Sequence, residues 1–535
     1  MAKLAPGMNP NTASFKANEA AMLEKIAMFR ALEAAIIEKD VAARPKFAKR
    51  GQLTPRQRLS HLLDRGASFL ELSSLAGLGM HDDDAKRSIM GGGGIAGIGF
   101  VNGVRVMVVA NDSAIKGGTV APMGLRKTLR AQEIARINKL PLIYLVESGG
   151  ANLLYQSEIF VEGGRSFANQ AHLSAMGIPQ IAVVHGSATA GGAYLPGLSD
   201  YIVLVRDRSK IFLAGPPLVE AAIGEQVDEE QLGGALMHAQ ITGLGEYLAD
   251  HDSAALALVR DLVQHLGLPV SPARDPIAPP LDPAHLLGIV PSDDRTPFDM
   301  RAIIAHIIDH ADFLDYKAEF GADTICGHAA IEGHRLGIIA NNAPIQPQGS
   351  MKAAQFIQAC DQVGLPLLFL QNTTGYMVGS AAEREGAIKH GSKMIQAVAN
   401  ASVPKLTIVV GGSFGAGNYG MCGRGFDPHF IFSWPTARTA VMGGAQAATV
   451  MNIISRAKFE RAGTPINEQA LAQMSDGIKQ RLDAEASVLF GTARLWDDGI
   501  IDPRDTRAVL AFCLATIAEA DQRSLRPNSF GVQRF

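Results

Sequence analysis

A chain of 535 residues, 47% hydrophobic and 19% charged, is too long for one ordinary core and too apolar for disorder, so two domains are expected. Its net charge of -3 gives no electrostatic ground for nucleic-acid binding. The four cysteines, Cys326, Cys360, Cys422 and Cys513, form no CxxC pair, which argues against a disulfide scaffold and a zinc ribbon and for reduced thiols in the cytoplasm.

In chain order, the segment from Met1 to Phe15 has no hydrophobic core of a signal peptide. No later run of about 18 apolar residues suggests a membrane span. Helical periodicity covers Ala17 to Asp40. Gly91 to Gly94 resembles a phosphate cradle only loosely and is expected to be a flexible turn. Then follows an α/β alternation: a strand over 103–111, a helix over much of 114–138, a strand over 142–146, a helix over 165–176 and a strand over 181–185. The proline-dense stretch 268–280 suits a linker, dividing the chain into domains 1–275 and 276–535.

The second domain repeats the first. Residues 141–150 match 366–375, 178–186 match 403–411, and 189–194 match 414–419, each at an offset of 225 positions. The earlier pair 108–111 and 338–341 sits at 230. A register held this long sets the architecture before any local motif does.

Each copy carries two glycine turns between a strand and a helix: Ser148–Ala151 and Thr189–Gly192 in the first, Thr374–Gly375 and Phe414–Gly417 in the second. Such turns aim backbone N–H groups at a point where an oxyanion can develop. The donors expected are those around Gly149, Gly150, Gly191 and Gly192, and around Gly375, Gly415, Ala416 and Gly417. Two oxyanion sites suit a reaction that polarises two carbonyls, and carboxyl transfer from biotin to an acyl-CoA is one. One set would take the thioester carbonyl and the other the ureido carbonyl of biotin, the residues concerned being Gly150, Ala151, Ala190, Gly191 and Gly192 in the first copy and Phe414, Gly415, Ala416 and Gly417 in the second.

No strong side-chain catalyst competes with this reading. GxSxG, HExxH, Walker A and CxxC patterns are absent, so no metal is expected. His185, Glu147 and Asp112 are expected to be structural. Lys116, Arg126, Lys127 and Arg130 form a basic group that either meets CoA phosphates or makes a solvated face, and Lys116 is taken as the substrate contact. Lys352 follows Met351 but lacks the wider context of a biotin attachment site, so biotin must arrive on another chain.

The chain resembles the β subunits of acyl-CoA carboxylases, which have two tandem crotonase-like domains, over nearly all its length. The residues that carry the likeness are Leu129–Ile134 (LRAQEI), Tyr144–Asn152 (YLVESGGAN), Thr189–Tyr194 (TAGGAY), Ile211–Val219 (IFLAGPPLV), Gly411–Arg424 (GGSFGAGNYGMCGR) and Val441–Gly444 (VMGG). They are similar to the methylcrotonoyl-CoA and geranyl-CoA carboxylase branch. The resemblance implies acyl-CoA in the first domain, biotin in the second, and a homo-oligomer, β6 within α6β6, with a biotin carboxylase and biotin carrier α subunit. It also implies the chemistry: a basic biotin nitrogen takes a γ proton from the enoyl-CoA, and the enolate attacks CO2.

One departure bears on the substrate. Methylcrotonoyl enzymes read FPDRDHFGR or FPDREHFGR where this chain has Phe160–Arg165 (FVEGGR), which places Gly163, beside Gly164, where an aromatic would close the acyl pocket. Geranyl-CoA carboxylases resemble this pattern, and the extra isoprene unit is worth roughly 4 kcal/mol of burial. Geranyl-CoA is therefore the expected substrate and methylcrotonoyl-CoA the alternative. A crotonase-type hydratase or isomerase would need acidic side chains beside the thioester, and the Gly191 and Gly417 turns contain none, while a decarboxylase subunit would run related chemistry backwards.

Overall fold

A computed structural model describes residues 3–81, 90–272, 275–293, 296–463 and 465–533. It divides into two compact units. The first comprises Ala31–Arg274 with Ala493–Leu495 and Thr516–Phe535, and the second comprises Met1–Arg30, Asp275–Thr492 and Trp496–Ala515.

The first unit is built on strands β1 (Leu70–Leu72), β2 (Gly94–Val101), β3 (Val104–Asn111), β4 (Leu142–Ser148), β5 (Gln180–Thr189), β6 (Tyr201–Val205), β7 (Lys210–Phe212) and β8 (Tyr247–Ala249). The sheet runs β1-β2-β3-β4-β5-β6-β8, and β7 joins the far end of β5. All seven residues of β4 are buried, as a parallel strand with both faces covered requires. Helices Pro122–Ile137 and Gln156–Ala175 make the crossovers from β3 to β4 and from β4 to β5. On the opposite face Leu59, Leu62, Val259 and Leu262 pack against Val106, Ile143, Ile181 and Val203.

The second unit carries β9 (Leu314–Asp315), β10 (Thr324–Ile331), β11 (His334–Asn341), β12 (Leu367–Thr373), β13 (Lys405–Phe414), β14 (Phe430–Ser433) and β15 (Arg438–Ala440), ordered β14-β13-β12-β11-β10-β9 with β15 on the end of β13. Helices Pro347–Gln362 and Ala387–Asn400 lie over it, with Phe356, Ile357, Cys360, Met394 and Val398 in one core with Ile339, Leu367 and Phe369.

The sequence repeat is a repeat of strand register. Leu142 pairs with Gln180 and Leu367 with Lys405; Ser148 pairs with Ala188 and Thr373 with Ser413. In both units the ladder slips just before this last pair, so β5 and β13 each bulge beside the end of their neighbour.

Several elements differ from expectation. The strand over 103–111 is one arm of a hairpin, closed by Asn102 and Gly103, both at positive φ, as the favoured two-residue turn demands. In the other arm, β2, three glycines interrupt Ile95, Ile98, Phe100 and Val101 and mask the strand signal. The helix expected over 165–176 begins nine residues earlier and runs through Gly163 and Gly164, whose missing side chains face open space. The helix expected over 114–138 starts only at Pro122, because Lys116–Gly118 form a tight turn with Gly117 and Gly118 at positive φ. Among the described residues no helix is long and apolar enough to cross a membrane.

Candidate active site

In the first unit the bulge in β5 brings the turn after β5 against the turn after β4. A β-carbon on Gly192 would stand 3.1 Å from Ser148 Oγ, and one on Gly150 would stand 3.4 Å from Ala190 Cβ. Gly150, at φ 84°, accepts a hydrogen bond from Val120 N at 2.8 Å, and Asn152 N returns one to Val120 O at 3.0 Å. Segment 116–120 is thereby joined to the cradle. Lys116, exposed and at φ 47°, opens that segment.

A donor inventory narrows the expected set. Gly150 N–H donates to Ser148 Oγ at 3.2 Å and Ala190 N–H to Phe212 O at 3.1 Å. The N–H groups of Gly149, Ala151, Gly191 and Gly192 have no acceptor among the described residues. Gly150 therefore shapes the turn through its left-handed backbone, with its own donor spent locally.

The second unit repeats this arrangement bond for bond. Gly375, buried and at φ 124°, donates its N–H to Thr373 Oγ1 at 3.2 Å and accepts from Ile345 N at 2.9 Å, while Met377 N returns a bond to Ile345 O. A β-carbon on Gly417 would stand 2.8 Å from Gly375 Cα. Gly415 sits at φ 53°, a conformation that disfavours any side chain. Gly415 N–H faces Ala440 O across the β13–β15 pairing, as Ala190 N–H faces Phe212 O, while Ala416 and Gly417 open helix Gly415–Gly420, whose first N–H groups lack an intrahelical acceptor. Phe414, almost fully buried, anchors the turn.

Behind the cradles the two units diverge. Behind the second, a neutral chain holds the turn: Ser413 Oγ bonds to Gln371 Oε1, Asn418 Nδ2 donates to Ser413 Oγ at 2.7 Å, and Gln371 Nε2 donates to Met421 O at 2.7 Å. Behind the first lies a charged cluster. Arg58 Nη2 contacts Glu147 Oε2 at 2.7 Å, Arg58 Nε contacts Asp252 Oδ2 at 3.3 Å, and His185 Nδ1 lies 2.9 Å from Asp252 Oδ1. Burial and the Arg58 charge push the His185 imidazole down, so it is neutral, while His185 and Arg58 hold the Asp252 carboxyl at about 2 against the opposing effect of burial. Asp112 goes the other way, raised by burial to about 6. His185 and Glu147 are thus tied into the framework, and Asp112 Oδ1 accepts from Ala114 N at 3.0 Å. Arg58 and Gln371 carry no sequence signal for these roles, because they act on partners 89 and 42 to 50 positions away, and Ser413 and Asn418 complete the chain that Gln371 begins.

The basic group separates. Lys127 is buried and donates to Gly91 O and Gly94 O, at 3.2 and 2.9 Å, so its ammonium fills the glycine turn that had loosely suggested a phosphate cradle. Arg130 is buried and paired with Glu133 at 2.8 Å. Lys116 and Arg126 are exposed, Arg126 beside Glu162 at 3.3 Å. Lys352, the counterpart of Lys127 at the same 225 offset, is buried inside helix Pro347–Gln362. An enzyme that attaches biotin could not reach it. Among the described residues no three His, Cys, Asp or Glu side chains are grouped to hold a metal ion.

Gly163 and Gly164 lie one helical turn before Phe167, whose ring reaches to 3.8 Å from a β-carbon position on Gly191. Phe160, exposed, lies one turn before Gly164 on the same helix face as Phe167, and Leu153, Leu154 and Val161 are exposed nearby in the chain. An apolar strip therefore leads away from the first cradle.

The family whose description is carboxyl transferase domain matches residues 46–531. The chain belongs to this family. It is 56% identical to the P. aeruginosa geranyl-CoA carboxylase β subunit, whose crystal structure it covers completely, as that chain covers it, with a TM-score of 0.92. The two sheets thus adopt the crotonase-like fold expected of this carboxyltransferase family. A probable biotin-dependent acyl-coenzyme A carboxylase β2 subunit of Mycobacterium tuberculosis is 48% identical over 92% of this chain and 93% of its own. The biotin-dependent 3-methylcrotonyl-coenzyme A carboxylase β1 subunit of the same organism is 47% identical with the same coverage.

Proposed function

We propose that this carboxyltransferase is the β subunit of a biotin-dependent acyl-CoA carboxylase and that it carboxylates geranyl-CoA at its γ carbon. The observation that carries the reading is the duplicated cradle: two sets of helix-opening backbone N–H groups, placed by the same strand register.

The first cradle, in the half 1–275, is assigned to the acyl-CoA. Gly191 and Gly192, with Ala151 and Gly149, would receive the thioester oxygen as it gains negative charge on loss of a proton from the 3-methyl group. Gly150 and Ala190 shape the turn, and Lys116 stands at its edge for the CoA phosphates. One such donor is worth about 3 kcal/mol in the transition state. Glu147 does not serve as the acid of a hydratase, because its carboxylate is turned inward onto Arg58.

The second cradle, in the half 276–535, fits a carbonyl oxygen such as that of the biotin ureido ring. Ala416 and Gly417 would supply the donors, with Gly375, Phe414 and Gly415 setting their position. Carboxybiotin, when bound, supplies CO2 and a basic nitrogen. Since Lys352 is buried, biotin belongs on a biotin carboxylase and biotin carrier α subunit. The assembly proposed is β6 within α6β6, in the cytoplasm, where the four buried thiols stay reduced.

Geranyl-CoA is favoured over methylcrotonoyl-CoA by the open helix face at Gly163 and Gly164, which leaves the apolar strip uninterrupted for the longer acyl chain. The test is ATP-dependent fixation of labelled bicarbonate by the complex with its biotinylated partner. Higher kcat/KM on geranyl-CoA is expected, and equal or higher kcat/KM on methylcrotonoyl-CoA would overturn the substrate assignment.

A further inference from the structure

Among the described residues the cluster behind the first cradle has no counterpart behind the second. At the position of Glu147 the second unit has Asn372, whose amide oxygen accepts directly from Gly412 N at 3.2 Å, so the bulge there is filled by a neutral group that needs no cation. In the first unit the bulge is filled by a carboxylate. A β-carbon on Gly186 would stand 2.8 Å from Glu147 Cγ, so the Glu147 side chain occupies the space this glycine leaves.

The carboxylate sits one residue before Ser148, at the root of the turn that carries Gly149 to Ala151. Arg58, fully buried, is the cation that answers it, with its fork shared between Glu147 and Asp252 and its guanidinium 5.9 Å from the Phe47 ring. Gln52 Nε2 adds a bond of 2.8 Å to His185 O and a long one of 3.4 Å to Glu147 Oε1. His185, held neutral, adds no charge.

We propose that Arg58 is a positioning residue for carboxyl transfer to the acyl-CoA: by pairing with Glu147 inside the β5 bulge it fixes the first cradle and removes an unpaired negative charge from behind its donors. This rests on the assignment of acyl-CoA to the first cradle. Without Arg58 a buried carboxylate would stand beside a site that must stabilise a negative oxygen, so the transition state loses more than the ground state does.

The test uses the full complex with four variants: Arg58→Met, Arg58→Lys, Glu147→Gln and the double variant Arg58→Met with Glu147→Gln. Arg58→Met is expected to lower kcat about 100-fold with KM within about threefold, the pattern of an interaction made in the transition state. Arg58→Lys, whose point charge cannot bridge two carboxylates, is expected to lose about tenfold. Glu147→Gln is expected to stay within about fivefold, and the double variant to recover to within about tenfold of the natural enzyme. Acyl-CoA-independent decarboxylation of the carboxylated partner, which uses the second cradle, should not change in any of them.

A normal kcat in folded Arg58→Met overturns the proposal, and so does a double variant as slow as the single one, since that would mark a purely structural loss. Should Arg58→Met fail to fold, Arg58→Lys decides by the same criterion of kcat against KM. A natural complex that fixes CO2 onto neither acyl-CoA would remove the reading beneath the proposal and the proposal with it.

Discussion

A β-carbon on Gly417 would stand 2.8 Å from Gly375 Cα and 3.0 Å from Thr373 Cγ2, so the two turns of the second cradle touch backbone to backbone. Gly417→Ala must push them apart and displace the donors of Ala416 and Gly417. The expected result is a fall in kcat of about 100-fold, the scale of one lost oxyanion donor. The check is CO2 fixation by the complex, with circular dichroism to confirm the fold. Activity within about twofold of the natural enzyme would show that these amides do not meet the reacting carbonyl.

Gly163→Phe separates folding from specificity. The helix face at this position is open, so thermal stability should be unchanged. The new ring would stand one turn before Phe167 and cross the apolar strip leading from Gly191. Discrimination for geranyl-CoA over methylcrotonoyl-CoA should fall, by up to about 1000-fold if the whole isoprene unit loses its seat at roughly 4 kcal/mol. An unchanged ratio of kcat/KM values would place the acyl chain elsewhere.

These tests concern residues that the sequence exposed through repetition. The offset of 225 that relates Gly192 to Gly417 on paper relates Ser148 to Thr373 and Ala188 to Ser413 in the ladders, because a parallel sheet transmits register from strand to strand. What escaped was of two kinds. Local rules misled at Gly163 and Gly164, where two poor helix formers sit inside a helix held by the rest of its length, and at β2, whose opening glycines read as loop. Distance concealed the others: Arg58 and Glu147 are 89 positions apart, and nothing in the setting of Arg58 reveals that it will be fully buried. The basic group near Arg126 shows the same limit, since the helix turns Lys127 and Arg130 inward while leaving Arg126 exposed.

Cys326, Cys360, Cys422 and Cys513 are all buried thiols, none of them in a disulfide. Burial raises the Cys360 thiol to about 11 and the Cys422 thiol to about 12, and pushes Cys326 up as well, so little thiolate forms at neutral pH. A thiol-specific reagent should titrate none of the four rapidly in the native protein and all four after denaturation, and alkylation should leave activity intact. Rapid native reaction at any of them, with loss of CO2 fixation, would contradict this.

Asp497 supplies a pH dependence with a definite sign. Its carboxyl is fully enclosed, and burial, reinforced by neighbouring Asp498, raises it to about 6 against the hydrogen bond from Gly499 N at 3.1 Å. Asp498 cannot relieve it, being itself engaged with Arg424 at 3.1 Å and Ile431 N at 3.0 Å. Because the folded-state value lies above the unfolded one, its favourable contribution is complete below about pH 4 and is lost as the pH rises through about 6. The penalty for carrying the charge at neutral pH is then at most about 3 kcal/mol. Asp497→Asn keeps an acceptor for Gly499 N without the charge, so it should raise the thermal midpoint at about pH 7.5 and change it little at about pH 4. A midpoint lowered by the same amount at both values would mean that the carboxylate is stabilised by its surroundings rather than penalised by them.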